Sequence, residues 1–132
     1  MIKKINHIGI VVRDLDSAVE TYRKGLGLEY LHTEENKDFC CKIAFLQCGE
    51  VLVELIEPTG ESPSMKFLRE HGEGIHHLCY EVDDIQKALE HAKVNLKTKY
   101  NEPKIGAGES RVFFLEPECI CSVETEFVEL KK

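Results

Sequence analysis

Two histidines stand side by side in GIHHLCYEVDD, residues 74–84, and a third lies in the similar run INHIGIVV, residues 5–12. Neighbours on a strand point to opposite faces, so at most one of His76 and His77 looks into a given site. Two glutamates recur with the same regularity, Glu54 in VLVELIE and Glu126 in VETEFVE. One imidazole and one carboxylate from each half of the chain make a set of two nitrogen and two oxygen donors. That set suits a borderline divalent ion such as Co²⁺, Ni²⁺, Zn²⁺ or Mn²⁺, with open positions left to water. A single His beside a Glu is more often a hydrogen-bonded pair than a metal site. Recurrence at matched positions is what favours ligation here. His32, His71, His76 and His91 have no such match and read as solvated or locally bonded side chains.

The match comes from an internal repeat. INHIGIVVRDLDSAVE (5–20) set above IHHLCYEVDDIQKALE (75–90) gives six identities in sixteen positions, among them His7 with His77, Asp14 with Asp84 and Glu20 with Glu90. Chance would give roughly one, so a duplicated unit is indicated. His76 falls opposite Asn6 and has no twin, so His77 is the repeated ligand. The repeat continues as CKIAFL (41–46) against SRVFFL (110–115), and VLVELIE against VETEFVE places Glu57 opposite Glu129.

Each half must then be a strand, a helix and two or three further strands. Asp14 is a natural N-cap for LDSAVETYRKG, stopped by Gly25, and Asp84 caps IQKALEHAKVN. A short linking helix over about 62–72 has Ser62 as cap, Pro63 at its first position and Gly72 past its end. The chain reads as one α+β domain over 1–132, with module one at about 4–58 and module two at about 74–130. Alternation puts Ile8, Ile10 and Val12 under one helix, and Leu78, Tyr80 and Val82 under the other, with His7 and His77 on the opposite face. In the last strands Val51, Val53 and Leu55 pack outward while Glu54 turns inward. Val123, Thr125 and Phe127 pack while Glu126 turns inward. A pseudo-twofold relation between modules would bring all four donors together.

Composition narrows the classes. The chain of 132 residues carries net charge −7 without a basic cluster, which disfavours nucleic acid as a partner. No apolar run approaches a membrane span, and the start shows no signal-peptide pattern, so a cytoplasmic protein is expected. Six cysteines without a C-x-x-C pair read as free thiols.

The runs N-H-I-G-I-V-V-R-D-L-D, V-E-L-I-E-P and G-I-H-H-L-C-Y-E-V-D-D-I together resemble the vicinal oxygen chelate superfamily (glyoxalase, bleomycin resistance and dioxygenase proteins). Within it, LIEPTGESPSMKFLREHGEGIHHL (55–78) and YNEPKIGAGESRVFFLEP (100–117) are most similar to the methylmalonyl-CoA epimerase family. The resemblance implies two tandem βαβββ modules forming an open cupped mixed sheet around a divalent metal. It places the ligands at His7, Glu54, His77 and Glu126 and implies a homodimer acting on an acyl-CoA thioester. The implied reaction is removal of a proton next to a carbonyl, with Glu126, Glu54 and Glu124 as acid–base candidates. Glu124 stands where that family has an apolar residue, two before the ligand, and is expected to face inward near like charge. Some epimerases carry Gln at the second ligand position and a separate carboxylate base one strand earlier. This chain has Glu54 at the former and Ile43 near the latter. The segment EPECICSVETEF also departs from the family's histidine-proline-lysine turn. A glyoxalase I-type lactoylglutathione lyase uses the same four ligand positions and is the alternative enzyme. A non-enzymatic small-molecule binding or resistance protein is the alternative outside catalysis.

Overall fold

A computed structural model of the chain describes residues 1–131. It divides into two compact units: His7–His76, and Met1–Asn6 together with the residues from His77 onward. The elements in chain order are β1 (Ile2–Val11), α1 (Leu15–Glu20), β2 (Glu29–Asn36), β3 (Cys41–Cys48), β4 (Val51–Pro58), α2 (Pro63–His71), β5 (Gly74–Val82), α3 (Ile85–Asn95), β6 (Lys104–Ile105), β7 (Arg111–Phe114) and β8 (Thr125–Glu129).

The repeat seen in the sequence is a repeat of topology. In the first unit β1 runs parallel to β4, while β3 pairs antiparallel with both β4 and β2. In the second unit β5 runs parallel to β8, and β7 pairs antiparallel with both β8 and β6. Each unit is thus strand, helix and three strands, although β6 is reduced to two residues.

Both helices start in the same way. Asp14 accepts a hydrogen bond from Ser17 N–H at 3.2 Å, and Asp84 from Lys87 N–H at 3.1 Å. A second carboxylate then reaches each helix from the end of a strand. Glu57 accepts from Leu15 N–H at 2.7 Å, and Glu129 from Ile85 N–H at 2.8 Å. First-turn N–H groups have no partner within a helix, and the helix dipole favours negative charge there, so each glutamate satisfies a donor and ties strand to helix. The matched pair Glu57/Glu129 therefore has a structural use.

The apolar stripe of α1, with Leu15, Ala18 and Val19 and continued by Tyr22 just beyond it, packs on Ile10, Val12, Ala44, Leu46, Val53 and Leu55. In the second unit α3 lays Ile85, Leu89 and Ala92 on Val82, Phe113, Leu115 and Phe127. Phe113 and Phe127 stack with ring centroids 4.7 Å apart. These are the faces that strand alternation assigned to the helices. The opposite face of the first unit carries Val11, Cys41, Ile43, Phe45 and Ile56, with Phe67 and Leu68 of α2 against it. That of the second unit carries Cys79, Val112, Val128 and Phe114.

Two local expectations give way. The helix beginning at Leu15 widens into a π-helical turn over Thr21–Gly25, and Gly27 rather than Gly25 takes the positive φ, 77°, that turns the chain. Val123 is 42% exposed instead of packed, because β8 starts only at Thr125. The residues before it, Cys121 and Ser122, have φ of 60° and 63°, a tight turn that lifts Val123 away from the strand. The linking helix is as read: Ser62 accepts from Met65 N–H, Pro63 opens it, and Gly72 ends it at φ 79°. Among the described residues no helix is long and apolar enough to cross a membrane.

Candidate functional site

In the first unit His7 and Glu54 are both buried, and His7 Nδ1 lies 3.0 Å from Glu54 Oε2. Strand register explains the meeting. Glu54 is paired with Gly9 on β1 and with Phe45 on β3, so it shares a face with His7, and Gly9 adds no side chain between them. Ile43 lies on that same face, buried with Val11 and Ile56. The position near which some epimerases carry a carboxylate base is therefore hydrocarbon in this chain.

In the second unit His77 and Glu126 make the corresponding pair, with His77 Nε2 3.4 Å from Glu126 Oε1. Their side chains are 9% and 12% exposed. Glu126 is in register with Cys79 on β5 and Phe114 on β7, and Phe114 presents its ring edge-on to His77 with centroids 6.4 Å apart.

Both pairs have a spacing that an ion could use. Two donors each about 2.1 Å from one ion stand about 3.0 Å apart at a right angle and about 3.4 Å apart at the tetrahedral angle. Buried imidazole and carboxylate at 3.0 Å and 3.4 Å fit the donor types and the edge lengths of a divalent centre.

The other histidines keep the ordinary roles expected of them where the structure records a contact. His71 and His76 both lie against Phe67, with centroids 4.9 Å and 5.0 Å away. His32 stacks on Phe45 at 4.7 Å, which puts it one strand further along the face that carries Glu54. Nothing in the sequence marked that placement, because β2 has no counterpart in the repeated segments.

Glu124 has a partner that the sequence did not indicate. It follows Val123 out of the turn, and its carbonyl accepts from Leu78 N–H at 3.1 Å, which extends the β5–β8 pairing by one residue. Its carboxylate is held by the ammonium of Lys99, a positive charge beside the like charge expected from Glu126. Lys99 also lies 5.9 Å over the Phe114 ring, and Tyr100 meets the same ring edge-on at 6.1 Å. Burial pushes the Tyr100 phenol above its ordinary pKa; Lys99 opposes the shift, while Glu126 and Glu124 add to it. Lys104 sits 4.5 Å over the Tyr100 ring. Sequence reasoning missed Lys99 and Tyr100. They fall in the irregular stretch after α3, outside the repeat, where no period assigns a face.

All six cysteines are free thiols, in agreement with the sequence reading. Cys41 is the most perturbed, its pKa raised to about 11 by burial, with Cys40 and Glu54 adding to the shift.

With this arrangement in view the chain can be classed. It belongs to the Glyoxalase/Bleomycin resistance protein/Dioxygenase superfamily, which residues 6–114 match. It has that superfamily's mixed α+β fold of eight strands and three helices. The chain is similar to the ethylmalonyl-CoA/methylmalonyl-CoA epimerase of Cereibacter sphaeroides, 39% identical over 97% of this chain and 100% of that protein. Among solved structures it matches a variant of the Streptomyces coelicolor methylmalonyl-CoA epimerase in complex with 2-nitronate-propionyl-CoA. The TM-score is 0.93 at 34% identity, over 100% of both chains. A lactoylglutathione lyase of Haemophilus influenzae is 31% identical over 97% of this chain and 93% of that protein.

Proposed function

We propose that the protein is a metal-dependent isomerase that epimerises methylmalonyl-CoA, or a closely related acyl thioester, by moving the proton next to its thioester carbonyl. The observation that carries this reading is the pair of buried His–Glu contacts, one in each unit, at duplicated positions. His7, Glu54, His77 and Glu126 are the proposed ligands of one divalent ion, with residues 1–132 acting as one domain. Within each unit an imidazole and a carboxylate stand at a spacing that supports this reading, His7 with Glu54 and His77 with Glu126. When bound, the ion supplies Lewis acidity toward a carbonyl oxygen.

The residues of the chain account for the proton. Such a proton is weakly acidic, and its removal calls for a carboxylate within reach. Epimerisation also needs the proton returned from the other side, which two carboxylates on different modules can supply. Glu126 and Glu54 are proposed for these two roles. Glu124, engaged by Lys99, is the less direct candidate. The apolar groups near the two pairs, Phe114 in one unit and Ile43 and Phe45 in the other, keep water away from the carboxylates and strengthen their electrostatic interactions.

Deuterium wash-in tests the proposal. Cobalt-loaded protein with methylmalonyl-CoA in D₂O should exchange the α-proton, seen by NMR, and a metal-stripped control should not. Glu126→Gln should lower exchange by at least about a hundredfold while the protein stays folded, within the range a positioned acid–base group supplies. Full turnover by that variant removes Glu126 from the mechanism.

One observation favours a second reading, that of a glyoxalase I-type lyase. Ile43 puts hydrocarbon near the position where some epimerases carry a separate base, which leaves proton transfer to the proposed ligand glutamates, and those four ligand positions are the ones such a lyase uses. Turnover of methylglyoxal with glutathione, and no exchange with methylmalonyl-CoA, would select it. We further propose a cytoplasmic homodimer, for which light scattering on the purified protein should give twice the chain mass of 15.1 kDa.

A further inference from the structure

We propose that Lys99 and Glu124 form a specificity-determining pair that sets how strongly the site accepts an anionic acyl group. The inference builds on the proposed acyl thioester substrate and adds the group that reads its charge. A series of contacts locates the pair. Glu124 lies two residues before Glu126, and its carbonyl accepts a hydrogen bond from Leu78 N–H, next to His77. Lys99 N–H donates to the Phe114 carbonyl at 2.8 Å, which fixes the backbone of Lys99 beside β7. Its ammonium meets Glu124 and lies over Phe114. Phe114 in turn touches His77 and is in register with Glu126.

Exposure rises along this series. The His77 and Glu126 side chains are about a tenth exposed, Glu124 is 20% and Lys99 33%. The pair is partly open to solvent and is joined to the buried pair through the Phe114 ring. An ion pair in such a position adds little to stability, because screening and side-chain ordering offset most of its attraction. Its charges still act on a bound anion. Glu124 standing alone would repel a carboxylate, and Lys99 standing alone would attract one. Held together they are close to neutral, so a carboxylate on the acyl chain must compete with Glu124 for the ammonium. Lys104 over Tyr100 is a second cation nearby, but it is engaged with that ring rather than with Glu124.

The test compares two ligands that differ only in a carboxylate, methylmalonyl-CoA and propionyl-CoA. Their dissociation constants from the cobalt-loaded protein are measured by calorimetry, and the ratio cancels contacts to the CoA portion. Lys99→Met should weaken methylmalonyl-CoA about tenfold relative to propionyl-CoA, because Glu124 is left uncompensated. Glu124→Val should strengthen it about three- to tenfold, because Lys99 is released. The double variant should return to within about threefold of the wild type, and thermal melts of all three confirm folding. A ratio that moves by less than twofold in either single variant, or in the opposite direction, overturns the assignment. Absence of exchange in the wild type would instead count against the epimerase reading, since the binding ratio reports charge at the acyl end whether or not turnover occurs.

Discussion

At the level of single residues, the chemistry is confined to a few side chains with distinct surroundings. Of the adjacent histidines, His77 meets Glu126 and His76 packs against Phe67, as strand alternation requires. Ile43 has a consequence of its own. With hydrocarbon near the position of a separate base, proton transfer falls to glutamates that also serve as proposed ligands, so activity should be unusually sensitive to either one. Cys41 offers a test of burial. Its folded pKa of about 11 is raised from 9.0 by loss of hydration, so the thiol stabilises the fold fully below pH 9, and this contribution is lost as pH rises through 11. The shift corresponds to about 2–3 kcal/mol. Between pH 8.5 and 11 the wild type should therefore lose about that much more stability than Cys41→Ala, measured by urea unfolding at each pH. Parallel curves would show that the thiol titrates freely.

At the level of elements, the duplicated capping by strand carboxylates explains how each helix is held over its strands. Leu15 and Ile85 each receive a glutamate from 42 and 44 residues away, in addition to a local aspartate cap. Glu57→Ala and Glu129→Ala leave a first-turn N–H without its acceptor and remove a charge that favours the helix dipole. Each should cost about 1–2 kcal/mol. Asp14→Ala and Asp84→Ala should cost about 1 kcal/mol each, the usual value for losing an N-cap. Urea midpoints of the four variants check this, and equal losses at corresponding positions would confirm that the two units use the same device.

For the whole molecule, the proposed ion links residues far apart in the chain, so metal binding and folding should be coupled. A ligand at a hundred times its dissociation constant stabilises the folded state by about 2.7 kcal/mol. For a chain of this size that is a rise in melting temperature of about 10 °C. Cobalt or zinc should give such a rise in the wild type, and His7→Ala and His77→Ala should each remove most of it. If only one of the two variants lost the shift, ligation would come from a single unit. This readout does not depend on the substrate, so it separates the metal proposal from the identity of the acyl group.

Much of the architecture was legible in the sequence because the signals involved are local. The period of two in INHIGIVV and IHHLCYEV assigns faces, Asp14, Asp84 and Ser62 mark helix starts, and the duplication, at an offset of 70 residues for His7 and His77 and 72 for Glu54 and Glu126, singles out those four residues. The likeness to epimerases was visible in the same runs. What only the tertiary structure decided lies in contacts that no short period encodes. Lys99 meets Glu124, 25 residues away in the sequence with β6 and β7 between them, and gives that carboxylate a positive partner that no period indicates. Glu57 and Glu129 acquire their use only when strand and helix are packed together. The start of β8 at Thr125 depends on the left-handed backbone at Cys121 and Ser122, where the residue types favour no particular turn. Periodicity fixes which way a side chain points; its partner is fixed by the path of the chain in space.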